Sequence, residues 1–315
     1  MNVIATEAPA KPATMRAWCY LVWLSFQRQA RARLLVFISL GLLGLVCLLV
    51  AINTNAGRWS MTYWRTPRGG PTYEQHLFHL ELAGHLPWDA STQAVHQAAW
   101  SASRAVLDEG SGFFVYSNWV IFSLYATFLL PLWTIAFASE GLGQEREAGN
   151  LLWVLTRPLP RWSIYLGKFV ALAPWCFAFN LGGLWLLGML AGPPGRLAFS
   201  IYWPAVFWGS LAFAALFHAL GSWMRRPSVA AILYTFFLET VAGNLPGHVK
   251  RLSFSFYIRC LMFDRAHEAG IYPERPSIFL PASGTTSWLV LGLAAGLFFL
   301  AGGWVFTRRE YVDAA

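Results

Sequence analysis

Six stretches of this chain are long and apolar enough to cross a lipid bilayer, and that alone removes most folds from consideration. A span needs roughly 17–25 mainly apolar residues. In hydrocarbon the backbone must satisfy its own polar groups, so only helices and closed barrels cross. Leu34–Ile52, Asn118–Ala138, Phe169–Leu190, Ile201–Trp223, Ser228–Leu245 and Trp288–Thr307 meet the requirement. The fifth is the weakest, because it carries Glu239 and runs into Gly243-Asn244-Leu245-Pro246. Composition points the same way: 57% of residues are hydrophobic and 12% charged, against about 45–50% and about 25% in soluble domains. An ordinary soluble enzyme and a disordered chain are both excluded. The first run has a 19-residue core after more than thirty residues of basic lead-in, too long on both counts for a cleaved signal peptide. The expected class is therefore all-α: a polytopic membrane protein with six transmembrane helices.

The charges set the expected orientation. The chain carries a formal charge of +8. With both termini cytoplasmic, the inner segments hold 13 Lys/Arg against 6 acids, so nearly all of the excess lies inside, as the positive-inside rule requires. Met224-Arg225-Arg226-Pro227 and Thr307-Arg308-Arg309 are the clearest signals. The expected layout is a cytoplasmic tail and amphipathic lead-in helix over 1–33, a six-span domain over 34–307 and a cytoplasmic tail over 308–315. Outer loops cover 53–117 and 246–287. In the first loop, Ser91–Asp108 has apolar residues at near-helical period. The second, aromatic and basic with Pro273, Pro276 and Pro281, suits an interfacial or re-entrant element. Met1–Thr14 reads as a disordered tail.

Between spans two and three, residues 139–168 read as a short amphipathic helix on the cytoplasmic side. Ala148, Leu151, Leu152 and Leu155 fall at i, i+3, i+4 and i+7. Glu145 and Glu147 stand at its start and Arg157 at its end, as the helix dipole prefers. Pro158 ends it, Ser163 is placed to cap the next helix, and Lys168 to reach the inner headgroups.

This stretch resembles the permease subunits of ATP-binding-cassette transporters of the type-2 exporter class. Members carry E-R-E-x-G-x-L here, then a leucine-rich half turn, then P-x-x-R, then G-K opening the next span. This chain has Glu145, Arg146, Glu147, Gly149, Leu151, Leu155, Pro158, Arg161, Ile164, Gly167 and Lys168 in that order, with Glu140 ahead of them. Asn150 and Pro160 depart from the usual Thr and Ser; neither removes a charge. The resemblance implies a pathway-forming subunit, paired with a like unit and driven by a separate P-loop ATPase. It also implies that the cytoplasmic helix docks in a cleft of that ATPase, with Glu140, Glu145, Arg146 and Glu147 as polar contacts and Leu151, Leu152 and Leu155 as packing face. The alternative is a helix that only anchors the loop in the headgroups. The only Gly-Lys, Gly167-Lys168, has Trp162 and Phe169 where a P-loop needs Gly and Ser or Thr, so ATP hydrolysis falls to the partner.

Polar residues inside spans are candidates for function. Asn180, His218 and Glu239 are the possible pathway residues; helix–helix hydrogen bonding is the alternative for each. His76, His79, Glu81 and His85 match no metal signature, and Cys19, Cys47, Cys176 and Cys260 show no ligand spacing, so neither metal nor cofactor is expected. The basic-aromatic stretch Lys250–Arg259 suits lipid rather than nucleic acid on an outer face. Gly292 and Gly296 permit close helix approach, within one protomer or at a dimer seam. A membrane enzyme using Glu239 or His218, and a membrane anchor or assembly factor, are the competing classes; co-purification with an ATPase separates them from a permease.

Overall fold

In a computed structural model, residues 14–31, 33–59, 112–139, 141–143, 159–245, 247–267, 271, 273 and 279–309 are described. Among them every regular element is helical. The expected helix at Ser91–Asp108, the histidines of the 53–117 loop, Met1–Ala13, Glu140 and residues 144–158 lie outside the described residues.

Among the described residues, five helices are long and apolar enough to cross a membrane. Helix α1 (Thr14–Arg31) precedes them and buries Leu21 and Ser25 while exposing Met15, Tyr20 and Trp23. α2 (Arg33–Asn55) exposes Phe37, Ile38, Leu45, Leu48, Leu49 and Ile52 and buries Val46 and Val50. Such a helix, apolar on all sides, needs lipid around it. α3 is one continuous helix: an α-helical turn Gly112–Tyr116, a π-helical stretch Ser117–Leu129 and an α-helical stretch Leu130–Ala138. α4 (Arg161–Leu190) and α5 (Pro193–Trp223) form a hairpin. Gly192 turns it at φ +78°, a region glycine enters without steric cost. α6 runs as α-helix over Pro227–Tyr234 and as π-helix over Thr235–Val241, ending in a 3-10 turn Ala242–Asn244. A second 3-10 turn, Val249–Leu252, leads into α7 (Phe254–Ala266), and α8 (Gly284–Arg308) closes the chain.

The fifth expected span is the one that departs from a full crossing. Its apolar helix covers Pro227–Val241, about 22 Å at 1.5 Å per residue against a hydrocarbon core of about 30 Å. The 3-10 turn Ala242–Asn244 then ends the helix.

α5 is the centre of the bundle, packed by α8, α4, α7, α3 and α6. Its buried face includes Tyr202, Ala205, Val206, Ala212, Phe213, Ala215 and Phe217. Lipid is as apolar as these side chains, so close packing and internal hydrogen bonds, rather than escape from water, hold such helices together. Small residues make that packing possible. A Cβ on Gly302 of α8 would lie 2.8 Å from Ala219 Cα of α5. The expected Gly292–Gly296 pair is not used this way: Gly296 faces open space and Gly292 meets only the Trp208 ring at an ordinary 3.5 Å.

We call the end of the bundle where α4 begins and α5 and α8 finish the basal end, and the opposite one the apical end.

Candidate functional site

At the basal end, the two chain ends that flank residues 144–158 come down on one apolar cluster. Leu142 stands on one side of that segment and Leu159 on the other. Both are buried with Leu21 of α1, Ile164 and Tyr165 of α4 and Phe306 of α8, and Ala17 and Trp18 pack against the group. The amphipathic spacing of α1 explains its part: residues 17, 18, 21 and 25 recur every three or four positions, on one face.

Directed polar contacts fix the cluster. The Trp18 Nε1–H donates to the Ser163 carbonyl at 2.9 Å. The Arg161 guanidinium donates to the carbonyls of Thr307 and Arg309, each at 3.2 Å. Arg309 in turn donates to the Trp223 carbonyl. These acceptors are at or beside the last turns of α8 and α5, where helices have carbonyls without partners and favour cations. One guanidinium therefore joins the start of α4 to the end of α8, and the next joins α8 to α5.

The leading strand of the segment is fitted equally closely. Ser139 Oγ donates to the Ile135 carbonyl and lies 3.2 Å from Ser228 Oγ at the start of α6. A Cβ on Gly143 would stand 2.6 Å from Pro227 Cγ, and one on Gly221 of α5 would stand 3.2 Å from Leu142 Cβ. Ser139 and Gly141–Gly143 are thus fitted closely between α5, α6 and α1.

His218 belongs to this end. It is fully buried, with Nε2 3.3 Å from the Tyr165 carbonyl and its ring 4.5 Å from that of Tyr165 and 5.5 Å from that of Phe169. Its Nδ1 has no hydrogen-bond partner and faces Gly141, beside Gln29 of α1, whose Oε1 is likewise unpartnered. Lys168 lies within electrostatic range of His218 and is 4% exposed. It is therefore a buried group of this cluster and not a side chain extended to the headgroups, because the first turns of α4 are covered by α1.

The other polar residues stand apart. Measured along their helices, His218, Glu239 and Asn180 are about 8, 18 and 28 Å from the basal ends, and each has its own partners. Asn180 Nδ2 donates to Thr134 Oγ1 at 2.9 Å, its carbonyl accepts from the Tyr125 hydroxyl, and its Oδ1 has no partner. Glu239 is fully buried. Its Oε1 accepts from the Tyr234 hydroxyl at 2.8 Å and the Phe254 N–H at 2.9 Å. Its Oε2 accepts from the Ser253 hydroxyl at 2.6 Å and the Ser255 N–H at 2.8 Å.

Of the residues expected to contact a partner, Arg161 and Lys168 are in this basal assembly; Glu140, Glu145, Arg146, Glu147, Gly149, Leu151, Leu152, Leu155 and Pro158 lie outside the described residues. Sequence does not single out Trp18, Leu21, Gln29, Tyr165 or Phe306, and it marks Arg309 only as a signal of orientation. The helical period of α1 was the signal available for Trp18 and Leu21; the others are brought in by packing alone. No group of three or more potential metal ligands occurs among the described residues.

Comparison with known proteins adds an independent line. Residues 94–242 match the sequence profile of a family described as ABC-2 family transporter protein. Over 215 residues the chain is 28% identical to a Pseudomonas aeruginosa protein named "Probable ABC transporter permease protein NosY", taking in 58% of this chain and 77% of that one. The family match contains spans two to four as read from sequence, span five as far as Ala242, and the whole of residues 139–168.

Proposed function

Since the chain belongs to the ABC-2 transporter family as a transmembrane permease subunit, we propose that its basal end is the surface through which a separate P-loop ATPase drives it. Residues 144–158 are the docking helix in this reading. Glu140, Glu145, Arg146 and Glu147 meet the ATPase through charge; Leu151, Leu152 and Leu155 pack in its cleft. Gly149 lies within the helix, Pro158 ends it, and Arg161 and Lys168 root it. The observation that supports this most is the shared seat of Leu142 and Leu159 on α1, α4 and α8. In this reading a push on the segment between Leu142 and Leu159 is passed through that seat to α1, α4 and α8. A mere headgroup anchor has no need of that arrangement.

The rest of the proposal follows the family. Six spans, counting the short α6, place both termini in the cytoplasm of a cell whose plasma or inner membrane holds the protein. Two such units, a homodimer or a pair with a second permease, enclose the pathway. Transport is outward, of a hydrophobic, amphipathic or lipid-linked molecule, and the chain itself catalyses no reaction and needs no cofactor or nucleic acid. Asn180 and His218 are the candidates for polar lining, supported by their unfilled hydrogen-bonding atoms, which buried groups rarely keep without a use. Glu239, with all four accepting positions filled, serves the route differently. The test is purification of the tagged full-length chain from its native membranes. A stoichiometric P-loop ATPase whose hydrolysis depends on this chain is the expected result. A chain that purifies alone and turns over a substrate by itself would overturn the proposal.

A further inference from the structure

α7 is set into the bundle with its N-terminus foremost. The Phe254 ring is 5.4 Å from Phe213 of α5 and 6.1 Å from Phe298 of α8. One turn later Ile258 fills the space over Gly209, where a Cβ would lie 2.4 Å from its Cδ1. Gly209 is near the middle of α5, about 21–24 Å from either end. The other end of α7 is apical: a Cβ on Gly284, at the start of α8, would strike the Asp264 carboxylate, and Arg265 lies over the Trp288 ring. α7 therefore rises from the middle of the bundle to its apical end.

That geometry creates a problem that chemistry must answer. The first N–H groups of a helix have no partner within it, and in a water-free interior each such group is costly. Ser253 supplies one acceptor, for the Phe256 N–H. Glu239 supplies the others, taking the Phe254 and Ser255 N–H groups and the Ser253 hydroxyl as well. With the Tyr234 hydroxyl, four donors fill the accepting capacity of one carboxylate. A negative group is also favoured at the positive end of a helix dipole. A second strap, from Arg259 to the Gly243 carbonyl at 2.9 Å, ties α7 to the turn that ends α6. The helices on both sides of this junction are π-helical: Ser117–Leu129 of α3, whose Ala126 carbonyl faces Ser255 Oγ, and Thr235–Val241 of α6. Such turns often mark functional sites.

We propose that Glu239 is the seat of an apical plug: its carboxylate holds the buried end of α7 to α6, so that α6 and α7 move as one body and the apical end of the pathway opens only when they do. The proposal rests on the permease reading for its consequence, not for its geometry. Glu239 is a positioning residue here, and substrate does not bind it.

Cys260 offers a native reporter. It is buried on α7, while Cys19 on α1 is exposed. The full-length protein in nanodiscs is treated with a charged maleimide, and labelling is read peptide by peptide, with Cys19 as internal standard. Glu239→Ala is expected to raise the Cys260 rate at least tenfold, Glu239→Gln by less, because one amide oxygen remains to accept, and Tyr234→Phe to leave it within twofold, since α7 keeps its cap. In the complex with its ATPase, Glu239→Ala lowers transport per ATP while hydrolysis continues. Cys260 labelling at the wild-type rate in Glu239→Ala overturns the seat whatever transport does. Faster labelling with transport per ATP unchanged overturns the plug while leaving the seat. Should Glu239→Ala not accumulate, Glu239→Gln carries the same comparison, and wild-type labelling there refutes the proposal.

Discussion

The closest fit of α7 in the middle of the bundle is Ile258 against Gly209, and a double substitution measures it. An alanine methyl at 209 would lie 2.4 Å from Ile258 Cδ1 and 2.8 Å from Cγ1, against about 3.5–4.0 Å for carbon atoms at rest. Either α7 lifts by more than about 1 Å or Ile258 leaves its rotamer, and overpacking of that kind costs about 1–3 kcal/mol. Ile258→Ala alone empties a site that is fully buried, at about 2–5 kcal/mol. Together the two changes remove the collision, and the new methyl occupies part of the space that isoleucine vacates. The double variant should therefore be less destabilised than the sum by about 1–2 kcal/mol, well beyond the roughly 0.3–0.5 kcal/mol within which independent sites add. Unfolding in mixed SDS micelles, followed by tryptophan fluorescence, gives the four free energies. Gly182→Ala, in the same bundle but facing open space, serves as control and should be neutral or slightly stabilising, because alanine is the better helix former. Strict additivity of Gly209→Ala and Ile258→Ala would mean that α7 does not reach the middle of α5, and would remove the argument for a buried helix end.

Two further outcomes follow from the basal cluster. Trp18→Phe keeps a ring on the basal cluster but loses the indole donor to Ser163; at about 1 kcal/mol for such a bond, hydrogen exchange of α1 amides should rise roughly fivefold, with α5 unchanged. Gly143→Val drives a side chain into Pro227 and should lower ATP-driven transport without loss of the folded bundle, whereas Gly41→Ala, which meets nothing, should leave transport as it is.

The helices were legible because lipid imposes a single demand, apolarity over a fixed length, that a sequence states directly. α2, α3, α4, α5 and α8 fall where the apolar runs predict. The short α6 was legible too, in the acid and the Gly-Asn-Leu-Pro that interrupt it. What makes sense of that acid was not. Glu239 meets Tyr234 five residues away, as periodicity allows, but its other donors lie 14 to 16 residues on, across two turns whose path no pattern encodes. A capping carboxylate supplied from another helix leaves no local signature; the capping box recognisable in sequence works within a few residues. The basal cluster has the same character. Its motif residues stood out by their resemblance to a family, yet Phe306 and Arg309 enter through the fold of the last helix onto the first turn of α4. Gly292 and Gly296 show the converse: within one chain their spacing makes no close helix contact, whereas Gly302 and Gly303, which have no such spacing, do.

Charge reversal in the purified complex measures whether residues 144–158 transmit work from an ATPase into the permease. Glu145→Lys with Glu147→Lys should leave the permease folded and its ATPase hydrolysing at a basal rate, with ATP-driven transport reduced at least tenfold. Wild-type transport per ATP in that variant would contradict the account.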